Sequence, residues 1–127
     1  MTNRIVCAAL ICLAMAGCGQ DSPFAPSKRA NVVMIEGPVF VDGYSIFEYQ
    51  GRVKNNGDAT AKFAKVYIYL RRSDNSLIEQ DYSYIDDTDL APGETAPWDV
   101  LFSDDDDAKR NAMDKSKTTY EIMWDED

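Results

Sequence analysis

Histidine is absent from this 127-residue chain, which removes the commonest general base and the commonest metal ligand together. Cysteine occurs only at positions 7, 12 and 18. Basic residues number 13 against 22 acidic ones, so the formal net charge is −9. Because a surface that binds nucleic acid needs a basic patch for the phosphates, this charge argues against a nucleic-acid partner.

Long apolar runs are also missing, apart from one near the N-terminus. Residues Ile5 to Met15 read IVCAALICLAM and follow the basic Arg4. The run is shorter than the roughly 20 apolar residues that cross a bilayer, and a short apolar run after a basic residue is typical of a signal peptide. It ends in Met15-Ala16-Gly17-Cys18, which resembles a bacterial lipobox with methionine where leucine is usual.

The lipobox resemblance implies a leader over residues 1–17 and an N-acyl diacylglycerol anchor on Cys18, with palmitate as a typical acyl chain. Each buried CH₂ contributes about 0.8 kcal/mol, so two or more acyl chains anchor a protein stably. An ordinary secretory signal without lipid is the alternative. Gly19, rather than aspartate, follows the cysteine. In a Gram-negative envelope this favours the outer membrane, with the protein facing the periplasm.

Loss of the leader would also remove Cys7 and Cys12, and the lipid would occupy Cys18. The mature chain would then have no free thiol, which excludes disulfides and cysteine catalysis. Residues 18–31 are polar and contain Pro23 and Pro26, the composition of a flexible tether. We therefore predict one folded domain over residues 32–127.

Short alternating apolar segments fill that domain. Phe47, Tyr49, Gly51 and Val53 share one face of a predicted strand, and Gly51 predicts a close approach of backbone or room for a large neighbour such as Tyr49 or Trp98. Further strands are predicted at residues 32–35, 39–41, 64–70, 77–85, 95–102 and 120–124, with a turn or kink at residues 36–38 and a helical turn at residues 108–113. Many short strands with little helix predict an all-β, immunoglobulin-like antiparallel sandwich of about seven strands.

The order of several short motifs resembles the FxLYD domain family. The motifs are Gly51-x-Val53-x-Asn55, Val66-x-Ile68-x-Leu70, Leu77-Ile78, Leu90-x-Pro92-Gly93-Glu94 and an aromatic at Trp98. Ile68 to Arg72 occupies the place of the motif that names the family and keeps only its leucine. The resemblance runs from Val39 to Trp124 and implies an immunoglobulin-like sandwich, often secreted or lipid-anchored, with no shared catalytic residues.

Aromatic side chains on two neighbouring predicted strands form a possible recognition surface. Tyrosine is favoured at interfaces because it combines flat apolar area with a polar tip. The alternative is that some of these rings belong to the core. The candidate residues are Phe63, Tyr67, Tyr69, Tyr82 and Tyr84.

Two acidic runs are candidate calcium ligands, because Ca²⁺ takes six to eight oxygen ligands and loop aspartates supply them. The residues are Asp86, Asp87 and Asp89 in one run, and Asp104, Asp105, Asp106 and Asp107 in the other. Neither run matches the helix-loop-helix calcium signature, and solvated loops are the ordinary interpretation of charge runs.

Catalysis is not expected, because no nucleophile motif or pocket with paired carboxylates is recognisable. The sequence therefore predicts a lipid-anchored binding or scaffolding module of the cell envelope, with no cofactor beyond the anchor. An unidentified envelope protein is the expected partner. A calcium-dependent binding module that uses the aspartate runs is the alternative.

Overall fold

Alternating apolar residues in this chain form two antiparallel sheets. The computed structural model describes residues 2–6, 28–86 and 88–126, with side chains from residue 28 onward. The strands are β1 (Thr2–Val6), β2 (Val32–Asp42), β3 (Ile46–Asn55), β4 (Ala61–Arg71), β5 (Leu77–Tyr84), β6 (Asp89–Leu90), β7 (Thr95–Ser103) and β8 (Thr119–Glu126). A short helix, α1 (Ala108–Ala112), and a 3₁₀ turn (Lys115–Lys117) connect β7 to β8.

The strand order is that of a sandwich. One sheet has the order β2-β3-β7 and the other β1-β8-β4-β5, with the two-residue β6 paired to β4. The pairs β3–β7 and β4–β8 correspond to the B–E and C–F pairs of an immunoglobulin-like fold. The prediction of an all-β sandwich of about seven strands is confirmed.

The core lies between the two sheets and follows the predicted alternation. Every second residue is buried along β7, along β4 from Ala64 onward, and along β3 except at Gly51, and the intervening residues are more exposed. The rings of Phe47 and Phe102 stack across β3 and β7 with centroids 5.3 Å apart. The inward-facing residues of these strands include Phe47, Tyr49, Val53, Ala64, Val66, Ile68, Leu70, Ala96, Trp98, Val100 and Phe102.

The turn or kink predicted at residues 36–38 is a kink within β2, which continues through these residues. The register of β2 against β3 shifts twice around Glu36, which is the mark of a β-bulge. A bulge lets Pro38, which has no N–H to donate, remain within a strand. Gly51 lies beside this bulge, where an added Cβ would meet the Glu36 carbonyl at 2.2 Å and the Trp98 ring at 3.0 Å. The close approach predicted at Gly51 is confirmed, with Trp98 as the neighbour.

The end of the predicted tether is hydrogen-bonded to the domain. Three backbone N–H groups donate to side chains at the end where β3 finishes. They are Arg29 to Asp58 Oδ1 at 2.7 Å, Ala30 to Glu126 Oε2 at 2.9 Å, and Asn31 to Asn55 Oδ1 at 3.0 Å. The chain therefore enters the domain at this end, which we call the entry end.

Most of the predicted leader and tether, including Cys18, lies at residues 7–27, outside the described residues. The backbone of Thr2–Val6 pairs antiparallel with β8, opposite Ile122 to Glu126. Within the part of the chain that the structure describes, no helix is long and apolar enough to span a membrane.

Candidate functional site: a tyrosine face on the outer surface

The predicted aromatic residues come together on the outer side of the sheet that contains β4, β5 and β8. Alternation along β4 turns Tyr67 and Tyr69 outward, because the residues that alternate with them, Val66, Ile68 and Leu70, are fully buried. The β4–β5 register then places Tyr82 directly opposite Tyr67 and Tyr84 opposite Lys65. We call this surface the tyrosine face; it consists of Lys65, Tyr67, Tyr69, Tyr82 and Tyr84.

The four rings form a continuous cluster. Tyr67 lies 4.9 Å from Tyr82 and 6.3 Å from Tyr69 between ring centroids. Tyr84 meets Tyr82 edge-on at 5.9 Å and 82°. Aromatic pairs at such distances each contribute about 0.5–1.5 kcal/mol beyond their buried area. Tyr82 and Tyr84 remain 43% and 52% exposed, so this end of the cluster is open to a partner.

Lys65 lies among three of these rings. Its ammonium nitrogen is 4.9 Å from the ring centroid of Tyr82, 5.5 Å from that of Tyr67 and 5.6 Å from that of Tyr84. Partial burial lowers the pKa of Lys65, but the hydrogen bond to Tyr67 and the neighbouring phenols outweigh it and raise the pKa above its ordinary value. The lysine is therefore charged at neutral pH and makes cation–π contacts.

Lys65 is not one of the residues of the predicted recognition surface, all of which are aromatic. The signal that identifies it is the cross-strand register, which puts Lys65 opposite Tyr84. That register depends on the turn between β4 and β5, where Asn75 has a φ of 74°. Alternation within one strand shows which residues share a face but not which residues lie opposite each other on the next strand.

Tyr69 marks the closed end of the tyrosine face. Its hydroxyl donates to Glu121 on β8, and the guanidinium carbon of Arg71 lies 5.6 Å from its ring centroid. Burial and the neighbouring Glu121 carboxylate raise the pKa of Tyr69 to about 12. Tyr69 is thus held in place by contacts within the domain.

Phe63 lies beside the cluster rather than within it. It has a left-handed backbone with φ of 52°, its N–H donates to the Thr88 carbonyl, and its side chain is 48% exposed. A hollow of about 360 Å³ separates it from the tyrosines. The residues that line this hollow are Phe63, Lys65, Tyr84, Met123, Trp124 and Asp125.

The second acidic run is largely engaged by one arginine. The Asp104 carboxylate is buried and accepts the backbone N–H groups of Lys109 and Arg110 at 2.9 and 3.0 Å. The guanidinium of Arg110 binds Asp104 at 3.0 Å, Asp107 at 2.9 Å and Asp42 at 2.7 Å. Asp106 accepts the N–H of Ala108. These contacts hold the loop around α1 in place.

The first acidic run lies at the other end of the molecule. Asp89, on β6, lies opposite Lys62 in the backbone pairing with the start of β4, near the entry end. Asp104 follows the last residue of β7, at the opposite end. Asp86 and Asp89 are exposed, and Asp87 lies outside the described residues. Among the side chains that the structure describes, no group of three or more acidic or other ligand residues is arranged to hold a metal ion. The two runs cannot act as one site.

Comparison with known proteins adds little to this geometry. No family model matches the chain, and no curated protein matches it. A crystal structure described as an ApaA protein from Bordetella pertussis is similar over 61% of this chain and 70% of its own, with a TM-score of 0.42 and 20% identity. The FxLYD resemblance stays a prediction.

Proposed function

We propose that this chain is a lipid-anchored, non-catalytic binding or scaffolding module of the bacterial envelope that contacts a protein partner through the tyrosine face. The observation that supports the binding role is the half-exposed cluster of Tyr82 and Tyr84 beside a charged Lys65. The lipobox-like sequence before Cys18 supports the anchor, and Gly19 after it favours the outer membrane.

The geometry of the rings favours a protein over a sugar as the ligand. Sugars stack on flat, open aromatic faces, but here Lys65 and the neighbouring rings lie against the faces of Tyr67 and Tyr82. The outer surface thus offers ring edges together with a fixed positive charge. Tyrosine in such settings is a frequent hot spot of protein interfaces, because it has little side-chain entropy to lose.

Growth with labelled palmitate tests the anchor. We expect label in the wild-type protein and none in the Cys18→Ser variant, because the thiol is the acceptor of the lipid. A wild-type protein that reaches the envelope without label would contradict the lipid anchor and support an ordinary secretory signal.

Crosslinking in intact cells tests the tyrosine face. We expect the double variant Tyr82→Ser/Tyr84→Ser to lose the crosslinked partner, since both side chains are exposed and contribute little to the core. Tyr44→Ser is the matched control, because Tyr44 is 94% exposed in the turn between β2 and β3. Equal yields of crosslinked complex from both variants would rule out the tyrosine face as the contact.

A further inference from the structure

The edge of β8 that faces away from β4 is covered by β1. Thr2 to Val6 pair with Glu126 to Ile122 in antiparallel register, and β8 is bonded to β4 on its other side. If β4 and β8 are strands C and F of an immunoglobulin-like sandwich, β1 occupies the position of strand G. The sandwich therefore receives the strand at this edge from the N-terminal residues.

Those N-terminal residues belong to the predicted leader. Cleavage before Cys18 removes β1, and the edge of β8 that bonded to it no longer has β1 as its neighbour. An edge strand with unpaired N–H and C=O groups is a template for another strand. We propose that, in the processed protein, this edge accepts an extended antiparallel segment of a partner protein; this inference rests on the processing in the proposed function.

The charge of β8 indicates the chemistry of the segment. The strand carries Glu121, Asp125 and Glu126 and no basic residue, and the whole chain has a net charge of −9. Pairing β8 with a second copy of itself would bring acidic strands together, and like charges on facing strands are destabilising. β1 has the sequence Thr-Asn-Arg-Ile-Val, which combines a basic residue with β-branched ones. The partner segment is expected to share this composition.

The edge is continuous with the tyrosine face. Met123 pairs with Lys65 on one side and with Ile5 on the other. It also lines the hollow of about 360 Å³ that contains Lys65 and Tyr84. A segment docked along β8 would therefore bring side chains to the rim of this hollow. One partner can use backbone hydrogen bonds at the edge and side-chain contacts with the tyrosines.

The test compares two forms of the full-length gene product, each purified from membranes in detergent with its N-terminus verified by mass spectrometry. The processed wild type lacks β1, whereas Cys18→Ser, which blocks processing, retains it. The probe is a synthetic peptide of residues 1–6, followed through the backbone amide resonances of isotope-labelled protein. We expect shifts concentrated at Ile122 to Glu126 in the processed form and none in Cys18→Ser, where β1 already fills the edge.

Two further peptides make the outcome specific. A copy with N-methyl groups on alternate residues keeps the side chains but removes strand hydrogen bonds, and we expect no binding. A copy with Arg4→Glu should bind about tenfold more weakly, equivalent to about 1.4 kcal/mol.

Four results would overturn the inference. If the peptide does not shift the β8 amide resonances of the processed protein, the inference is overturned, and the proposed anchored binding module is unaffected. Equal binding of all three peptides would contradict backbone strand pairing as the mode of binding. Concentration-dependent self-association through β8 without peptide would assign the edge to a second copy. Recovery of only unprocessed wild type would overturn both proposals, since β1 would remain in place.

Discussion

Tyr69 differs from its neighbours on the tyrosine face because its hydroxyl is bonded to a carboxylate. Burial and Glu121 raise the pKa of Tyr69 to about 12, against an ordinary value of about 10. Since the folded value is the higher one, the stabilisation from the neutral phenol is complete below about pH 10 and is lost as pH rises toward the folded value. Burial also raises the pKa of Tyr49, so we expect ultraviolet absorbance to show more than one late phenolate step, of which one is missing in Tyr69→Phe. In Glu121→Gln this step should move to lower pH, and an unchanged step would contradict the role of Glu121.

Gly51 is the residue at which backbone packing leaves the least room. In Gly51→Ala the new methyl group would overlap the Glu36 carbonyl, so we expect a loss of roughly 1–3 kcal/mol in the free energy of unfolding. Gly93→Ala is the control, because Gly93 has a φ of 85° but no atom near its added Cβ. Left-handed strain alone costs about 1–2 kcal/mol. Urea denaturation measures the loss in the free energy of unfolding for both variants. The tryptophan fluorescence of the folded proteins should show a changed Trp98 environment only in Gly51→Ala.

At the scale of elements, the loop from Asp104 to Arg110 is held together by hydrogen bonds and an ion pair to the Asp104 carboxylate. Burial would raise the pKa of Asp104, but the N–H groups of Lys109 and Arg110 and the guanidinium outweigh it, so the pKa is lowered. Asp104→Asn should cost roughly 1–3 kcal/mol at neutral pH, because buried donors lose a charged acceptor. A group with a lowered folded pKa stabilises the fold above about pH 4 and loses that effect below it.

The pH dependence separates this role from a general effect of mutation. The difference in the free energy of unfolding between wild type and Asp104→Asn, measured by urea denaturation, should narrow as pH falls below about 4. Asp74 and Asp114 also have lowered pKa values, because Ser76 and Ser116 donate to them. Both are present in each protein, so their effects cancel in the difference. A gap that stays constant with pH would contradict the charge-based explanation.

The same loop leads to an expectation for calcium. Arg110 already provides the positive charge beside Asp42, Asp104 and Asp107. We therefore expect millimolar Ca²⁺ to leave the melting temperature unchanged and to give no heat of binding in calorimetry. Sodium chloride of equal ionic strength is the control. A calcium-specific rise in melting temperature would restore the calcium-dependent alternative.

Some features of the strands and loops can be inferred from the sequence, and others cannot. Alternation predicted β3, β4, β7 and β8 because each has one buried side, and that signal is local. At Gly37-Pro38 the local residues indicated a turn or kink, but they could not show that the strand continues through a bulge that fits against Gly51 on the neighbouring strand. Alternation also could not show that Arg110 returns to bind Asp42, which is distant in sequence. Contacts of this kind depend on how strands come together, not on spacing within one strand.

For the whole molecule, the contacts of Arg29–Asn31 determine which end of the sandwich is nearer the anchor. They bind beside Asn55, at the end of β3, whereas Tyr44 lies just before the start of that strand. The ten residues of β3 span roughly 30 Å at about 3.3 Å per residue. The entry end should thus face the membrane, and Tyr44 and the Asp104 loop should point away from it.

Single-cysteine labelling can test this orientation, since lipid occupies Cys18 in the processed protein. A fluorophore on Asn56→Cys, at the entry end, should be quenched by nitroxide lipids more strongly than one on Tyr44→Cys. Both positions are exposed, so neither label disturbs the core. Because an extended tether over residues 18–28 reaches roughly 35 Å, deleting residues 21–26 should increase the difference. Equal quenching at both positions in the shortened protein would mean that the tether contacts do not orient the domain.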